Sequence, residues 1–182
     1  MNIVLIGMRG CGKSSVSRLL SVRTKRFVFS TDALIPYENQ GDQIDTILKK
    51  NNGDWHVFRE LEYLVVKKIV NQDNLIIDTG GGVVVDLDEE DKEVYSDRKV
   101  ALLKKRGLVI WLKEDISVLL KKARASATRP PLSISEPIQK IMERRLPFYK
   151  QAADVTIEIG GTKRKKLVEQ ICQLIKDYPE KQ

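Results

Sequence analysis

The chain has 182 residues, 42% of them apolar and 31% charged, which suits one compact α/β domain and leaves little room for a second. No apolar run approaches the roughly 20 residues that span a bilayer, so a membrane-embedded chain is not expected. The net charge of +7 comes with only 6% aromatic residues and no basic-aromatic recognition surface. It argues for small anionic ligands rather than nucleic acid.

In chain order, Met1 to Ile6 forms an apolar run leading straight into a glycine loop. It lacks the basic start and cleavage site of a signal peptide. Cys11 and Cys172 show no CxxC spacing, which predicts reduced thiols in a cytoplasmic protein. Short apolar runs recur at Ile3–Ile6, Phe27–Phe29, Leu75–Ile77, Leu108–Leu112 and Val155–Ile159. The first and fourth read as strands covered on both faces. Between them, Val16/Leu19/Leu20, Leu61/Leu64/Val65/Ile69, Ile116/Leu119/Leu120 and Leu167/Ile171/Leu174/Ile175 each mark one face of a helix. Strand–helix alternation predicts a five-stranded parallel sheet with ligands at the carboxyl ends of its strands. Three segments depart from the pattern. Gly41 to Asp54 reads as a short helix in a polar excursion. The acidic run Asp86 to Glu93 reads as a solvated helix start. Ala125 to Glu136, broken by Pro130-Pro131, reads as a mobile flap.

Gly7-Met8-Arg9-Gly10-Cys11-Gly12-Lys13-Ser14 matches the phosphate-binding GxxxxGK[ST] pattern between a strand and a helix. Its glycines let backbone N–H groups point inward at phosphate oxygens, and the helix adds its positive end. Lys13 is placed to reach the β- and γ-phosphates of ATP, Ser14 to offer its hydroxyl to Mg²⁺, and Ser15 to continue the nucleotide contacts. Cys11 reads as a small loop residue. Asp32 closes the second strand, Arg59 sits on a helix, Gly80-Gly81-Gly82 follows the third strand, and Arg145 lies in a helix before the last strand. Together they suit an anionic substrate bearing hydroxyls. His56, Trp111 and Lys163 to Lys166 carry plainer readings: an uninvolved surface histidine, core, and a solvated helix start.

The ordered set of these motifs resembles shikimate kinase over nearly the whole chain: the loop, Thr31-Asp32-Ala33-Leu34-Ile35, Phe58-Arg59 with Glu62, the glycine triplet, Arg129-Pro130-Pro131-Leu132, and Arg145-x-Pro-x-Tyr149. The resemblance implies a three-layer P-loop kinase fold of strand order 2-3-1-4-5. It implies a single domain over 1–182, a substrate-binding excursion near 32–62 and a mobile lid near 124–136. It further implies that Arg59 and Arg145 hold the shikimate carboxylate and that Gly80, Gly81 and Gly82 line the ring. Asp32 would bind the ring hydroxyls and orient or deprotonate the attacking one. Arg129 would neutralise the transferring phosphoryl group, while Arg124 and the segment Gly160 to Lys163 would flank adenine. The implied enzyme is a monomer acting on shikimate and ATP with Mg²⁺, giving shikimate 3-phosphate and ADP.

Two rival readings stay open at this point: a kinase of another polyol acid such as gluconate, and a binding protein that has lost the chemistry. The second draws on a departure from the family. Ser30 stands where shikimate kinases usually have a carboxylate that holds Mg²⁺ through water, while Asp78 stands where a small residue is usual. Leu75-Ile76-Ile77-Asp78 reads like a Walker B strand end. The carboxylate is therefore expected to have moved across the site, with Asp78 supporting the ion and Ser30 on its water shell.

Overall fold

The computed structural model describes residues 1–124 and 136–178. The lid and Arg129 lie outside the described residues. Five parallel strands form one sheet: β1 (Asn2–Ile6), β2 (Val28–Ser30), β3 (Ile76–Asp78), β6 (Gly107–Lys113) and β7 (Val155–Glu158). Their order is β2-β3-β1-β6-β7, which is 2-3-1-4-5 when only these five are counted. The element numbers differ because a hairpin intervenes, formed by β4 (Val85–Leu87) and β5 (Glu93–Tyr95).

Every residue of β1 is buried. Successive side chains of a strand point to opposite faces, so both faces of the sheet are covered by helices. α1 (Lys13–Thr24) packs with α8 (Arg164–Asp177), and α4 (Trp55–Ile69) packs with α5 (Asp97–Arg106). The remaining helices are α2 (Thr31–Glu38), α3 (Ile44–Lys50), α6 (Ile116–Arg124) and α7 (Ile138–Ala152). Cys11 and Cys172 are free thiols. Among the described residues no helix is long and apolar enough to cross a membrane.

The acidic segment corrects its sequence reading. Asp86 to Glu93 is not a helix start; it belongs to the antiparallel hairpin, in which Asp86 faces Val94 and Leu87 faces Glu93. The flanking residues Val83-Val84-Val85 and Val94-Tyr95 are β-branched or aromatic and favour strand. Asp88 completes the turn by accepting from the backbone N–H groups of Glu90 and Lys92, both at 2.9 Å. Its carboxylate thereby stabilises a turn and competes with helix.

Register aligns the carboxyl ends of three strands: Ser30 lies beside Asp78, and Asp78 beside Leu5. At the other end of the sheet, a Cβ on Gly107 would lie 2.7 Å from both the Leu103 carbonyl oxygen and a Val4 methyl. Gly107→Ala should therefore destabilise the protein by about 1–3 kcal/mol through overpacking, read as a lower urea midpoint with the slope unchanged.

Candidate active site

The loop from Gly7 to Gly12 joins β1 to α1 with three glycines at positive φ, 147°, 88° and 104°. Gly12 is the left-handed N-cap of α1, a conformation that disfavours a side chain. Lys13 is buried within this loop, its Nζ donating to the carbonyls of Gly7 at 2.7 Å and Met8 at 3.2 Å. Ser14 and Ser15 are exposed in the first turn of α1.

Asp32 stands in the first turn of α2, fixed because the Gly80 N–H donates to Thr31 Oγ1 at 2.8 Å. A side chain on Gly80 would collide with the Asp32 carboxylate, one on Gly81 would reach the Arg9 backbone at 3.0 Å, and one on Gly82 would lie 2.5 Å from the Arg59 guanidinium. Each glycine thus admits a different component of the site. Asp32 has solvent on one side, yet its crowded surroundings and then the charge of Glu62 push its carboxyl above the usual 3.8, with Asp78 adding to this and Lys13 and Arg9 opposing. A more basic carboxylate is a better proton acceptor.

The two arginines converge on the glycine triplet. Arg59 Nη1 donates to the Gly82 carbonyl at 3.3 Å and to Glu62 Oε2 at 3.0 Å. Arg145 Nη1 donates to the Gly81 carbonyl at 3.3 Å, and the Tyr149 hydroxyl donates to the same oxygen. Tyr149 is buried, its hydroxyl is pushed well above the ordinary range by burial, and its ring stacks on Trp111 at 5.7 Å. Among the described residues, two buried side-chain atoms have no hydrogen-bond partner: Arg59 Nε and Asp78 Oδ1. The first is a donor suited to a carboxylate. The second is an acceptor suited to a cation or its water, so Asp78 fits a role in holding Mg²⁺.

Behind Arg59 lies a buried charge network that the sequence reading left without a role. Lys99 Nζ donates to Glu62 Oε2 at 2.7 Å and to the Val85 carbonyl at 2.6 Å, and lies 3.3 Å from Asp86. Burial opposes the charge on Glu62, but Lys99 and Arg59 outweigh it and hold the carboxyl below the ordinary range. Asp86 also accepts from Ser96 Oγ at 2.7 Å and Arg98 Nε at 2.9 Å. Burial again opposes ionisation, yet the bonds from Arg98 and Ser96 and the charge of Lys99 bring Asp86 down to about 2.

A second cleft, of about 350 Å³, is lined by Glu114, Lys122, Gly160, Gly161, Thr162 and Arg164. The Arg164 guanidinium lies 3.1 Å from where a Gly12 Cβ would stand. Lys163 is exposed and serves as the N-cap of α8. Arg124 ends α6. His56 is half-exposed beside Asp91 at 3.0 Å, and Trp111 is core, as its plainer reading expected.

Comparison with known proteins decides the family. The profile described as Shikimate kinase matches residues 9–176. The chain belongs to the shikimate kinase family. The family member from Leptospira biflexa is 42% identical over 175 residues, covering 96% of each chain. Among solved structures, shikimate kinase from Acinetobacter baumannii in complex with shikimate superposes with a TM-score of 0.80 at 28% identity, covering 97% of this chain and 93% of that one. Shikimate kinase from Aquifex aeolicus gives 0.73 at 27% identity, covering 97% of both chains. Membership in this family makes the protein a phosphotransferase that uses ATP.

The charge network carries a prediction for this kinase. Lys99→Met leaves buried Glu62 with Arg59 alone and should cost about 3–5 kcal/mol. Carboxylates with depressed pKa values stabilise the fold above their unfolded values and lose that contribution on acidification. The melting temperature should therefore fall as pH drops from the Glu62 reference of 4.5 toward about 2 for Asp86. Asp86→Asn should flatten part of that slope, as thermal melts across pH would show.

Proposed function

We propose that this chain phosphorylates the 3-hydroxyl of shikimate, as a cytoplasmic monomer, through the residues its motifs single out. The observation that carries the reading is the convergence of two buried guanidiniums, Arg59 and Arg145, on the carbonyls of one glycine turn beside Asp32. Forked cations of this kind recognise a carboxylate, and glycines without side chains let a ring approach the backbone. Asp32 then orients the attacking hydroxyl and accepts its proton, helped by its raised pKa. Lys13 and the loop N–H groups hold the β- and γ-phosphates, Arg124 and the segment Gly160 to Lys163 flank the base, and Arg129 supplies charge to the transferring group. Phosphoryl transfer needs alignment and positive charge more than covalent help.

Ser14 and Asp78 would hold Mg²⁺, with Ser30 on its water shell. A bound ion would supply positive charge to the phosphates. The support is the buried, unpartnered Asp78 Oδ1 next to Ser30 across the strand pair. This moves the carboxylate one strand over and favours a working enzyme over a binding protein.

A coupled ADP-release assay with shikimate and with gluconate tests the substrate. Turnover with shikimate alone is expected; turnover with gluconate alone, or none, rejects it. Arg59→Ala and Arg59→Lys should each raise the shikimate KM about 10²-fold, leaving the ATP KM nearly unchanged, because an ammonium does not reproduce the fork. Arg129→Ala should lower kcat by roughly 10²-fold or more while ATP still binds. Asp78→Ser should need much more Mg²⁺ for half-maximal rate, and Ser30→Asp added to it should restore the requirement. An unchanged Mg²⁺ dependence in Asp78→Ser rejects the relocated carboxylate.

A further inference from the structure

Glu93 enters the site from β5, a strand of the hairpin, and grips Arg145 side-on. Arg145 Nε donates to both carboxylate oxygens, at 3.1 and 3.0 Å, and Nη2 donates to Oε1. Arg144 donates to the same carboxylate from Nε at 3.2 Å and Nη2 at 3.1 Å. Both members of the Arg145–Glu93 pair are withdrawn from solvent, their side chains 4% and 11% exposed. Burial opposes the charge on Glu93, but the bonds from Arg145 and the charges of Arg145, Arg144 and Arg59 outweigh it and hold the carboxyl low.

A guanidinium carries five N–H groups. Glu93 takes the one on Nε and one on Nη2, and the Gly81 carbonyl takes one on Nη1. One N–H remains on each terminal nitrogen, the number a second carboxylate needs. Arg59 is held by the opposite edge: Nη1 is taken by Glu62 and Gly82, while Nε is left without a partner. Each resident carboxylate also touches a second cation, Lys99 for Glu62 and Arg144 for Glu93, and each of these has a further carboxylate of its own, Asp86 for Lys99 and Glu136 for Arg144.

We infer that Glu93 is a positioning residue for substrate binding, fixing the Arg145 guanidinium so that its remaining N–H groups are set for the substrate carboxylate. The inference rests on the assignment of Arg145 to that carboxylate made above. A long, flexible side chain held on one edge by a fixed carboxylate and by backbone loses little freedom when the ligand arrives. The opposing role, a carboxylate sitting in the ligand's own seat, would require Glu93 to leave on binding. Arg144 and the paired hairpin strands hold it in place instead.

The full-length protein is tested as wild type, Glu93→Gln, Glu93→Asp, Arg145→Ala and the Glu93→Gln/Arg145→Ala double variant, with KM for each substrate, kcat and melting temperature. Glu93→Gln keeps the shape and removes the charge. It should raise the shikimate KM about tenfold, a free-energy change of one decade, with kcat and the ATP KM within about twofold. Glu93→Asp should recover part of the loss, and the double variant should match Arg145→Ala, since coupled residues are not additive. A lower shikimate KM in Glu93→Gln would show that the carboxylate occupies the seat. A lower melting temperature with kcat and both KM values shifting together would reduce Glu93 to a hairpin support. An unchanged shikimate KM in Glu93→Gln, with Arg145→Ala still impaired, rejects the positioning role alone. An unchanged KM in Arg145→Ala rejects the carboxylate assignment itself, and the inference with it.

Discussion

Lys99 and Glu62 meet at 2.7 Å with side chains 0% and 1% exposed, and the placement of Arg59 and of the hairpin hangs on that contact. Glu62 orients Arg59; Lys99 keeps Glu62 charged and, through the Val85 carbonyl, ties α5 to the first strand of the hairpin. A buried ion pair is a poor source of net stability, because desolvation offsets its attraction. Its value here is geometric. Glu62 Oε2 accepts from both Lys99 and Arg59, and the Arg59 guanidinium is held where its bonds to Glu62 and Gly82 are both made.

The same logic explains why three glycines stand in a row. Their carbonyls accept from both arginines and from Tyr149, while the space their missing side chains leave is filled by Asp32, the phosphate loop and Arg59. The two arginines, Asp32 and the loop from Gly7 to Gly12 are therefore braced against one short stretch of backbone.

Much of this was legible in the sequence, and the gaps have physical causes. β1 and β6 stand out as continuous apolar runs because both faces are covered, and the phosphate loop announces itself by spacing. Arg59 and Arg145 could be picked out by their place relative to the glycines. Their partners could not. Glu93 lies in an acidic run that local composition assigns to solvent, and only the cross-strand pairing with Leu87 turns it toward Arg145. Lys99 shares a helix face with Val100 and Leu103, all buried. A lysine on an apolar stripe was the available signal, but its partner lies 37 residues away on another helix. Arg164 was hidden in a basic cluster for the same reason: charge patterning does not say which of four neighbours folds back over Gly12.

The two tryptophans of the chain occupy telling positions. The Trp55 ring lies 5.7 Å from the Arg59 guanidinium. Trp111 stacks on Tyr149, whose hydroxyl shares the Gly81 oxygen with Arg145. Trp55 thus faces one of the two arginines directly and Trp111 is one side chain removed from the other, the first half-open to solvent and the second fully packed. The protein therefore carries two intrinsic fluorophores in different environments, each close to one of the two arginines, where an optical signal needs no label.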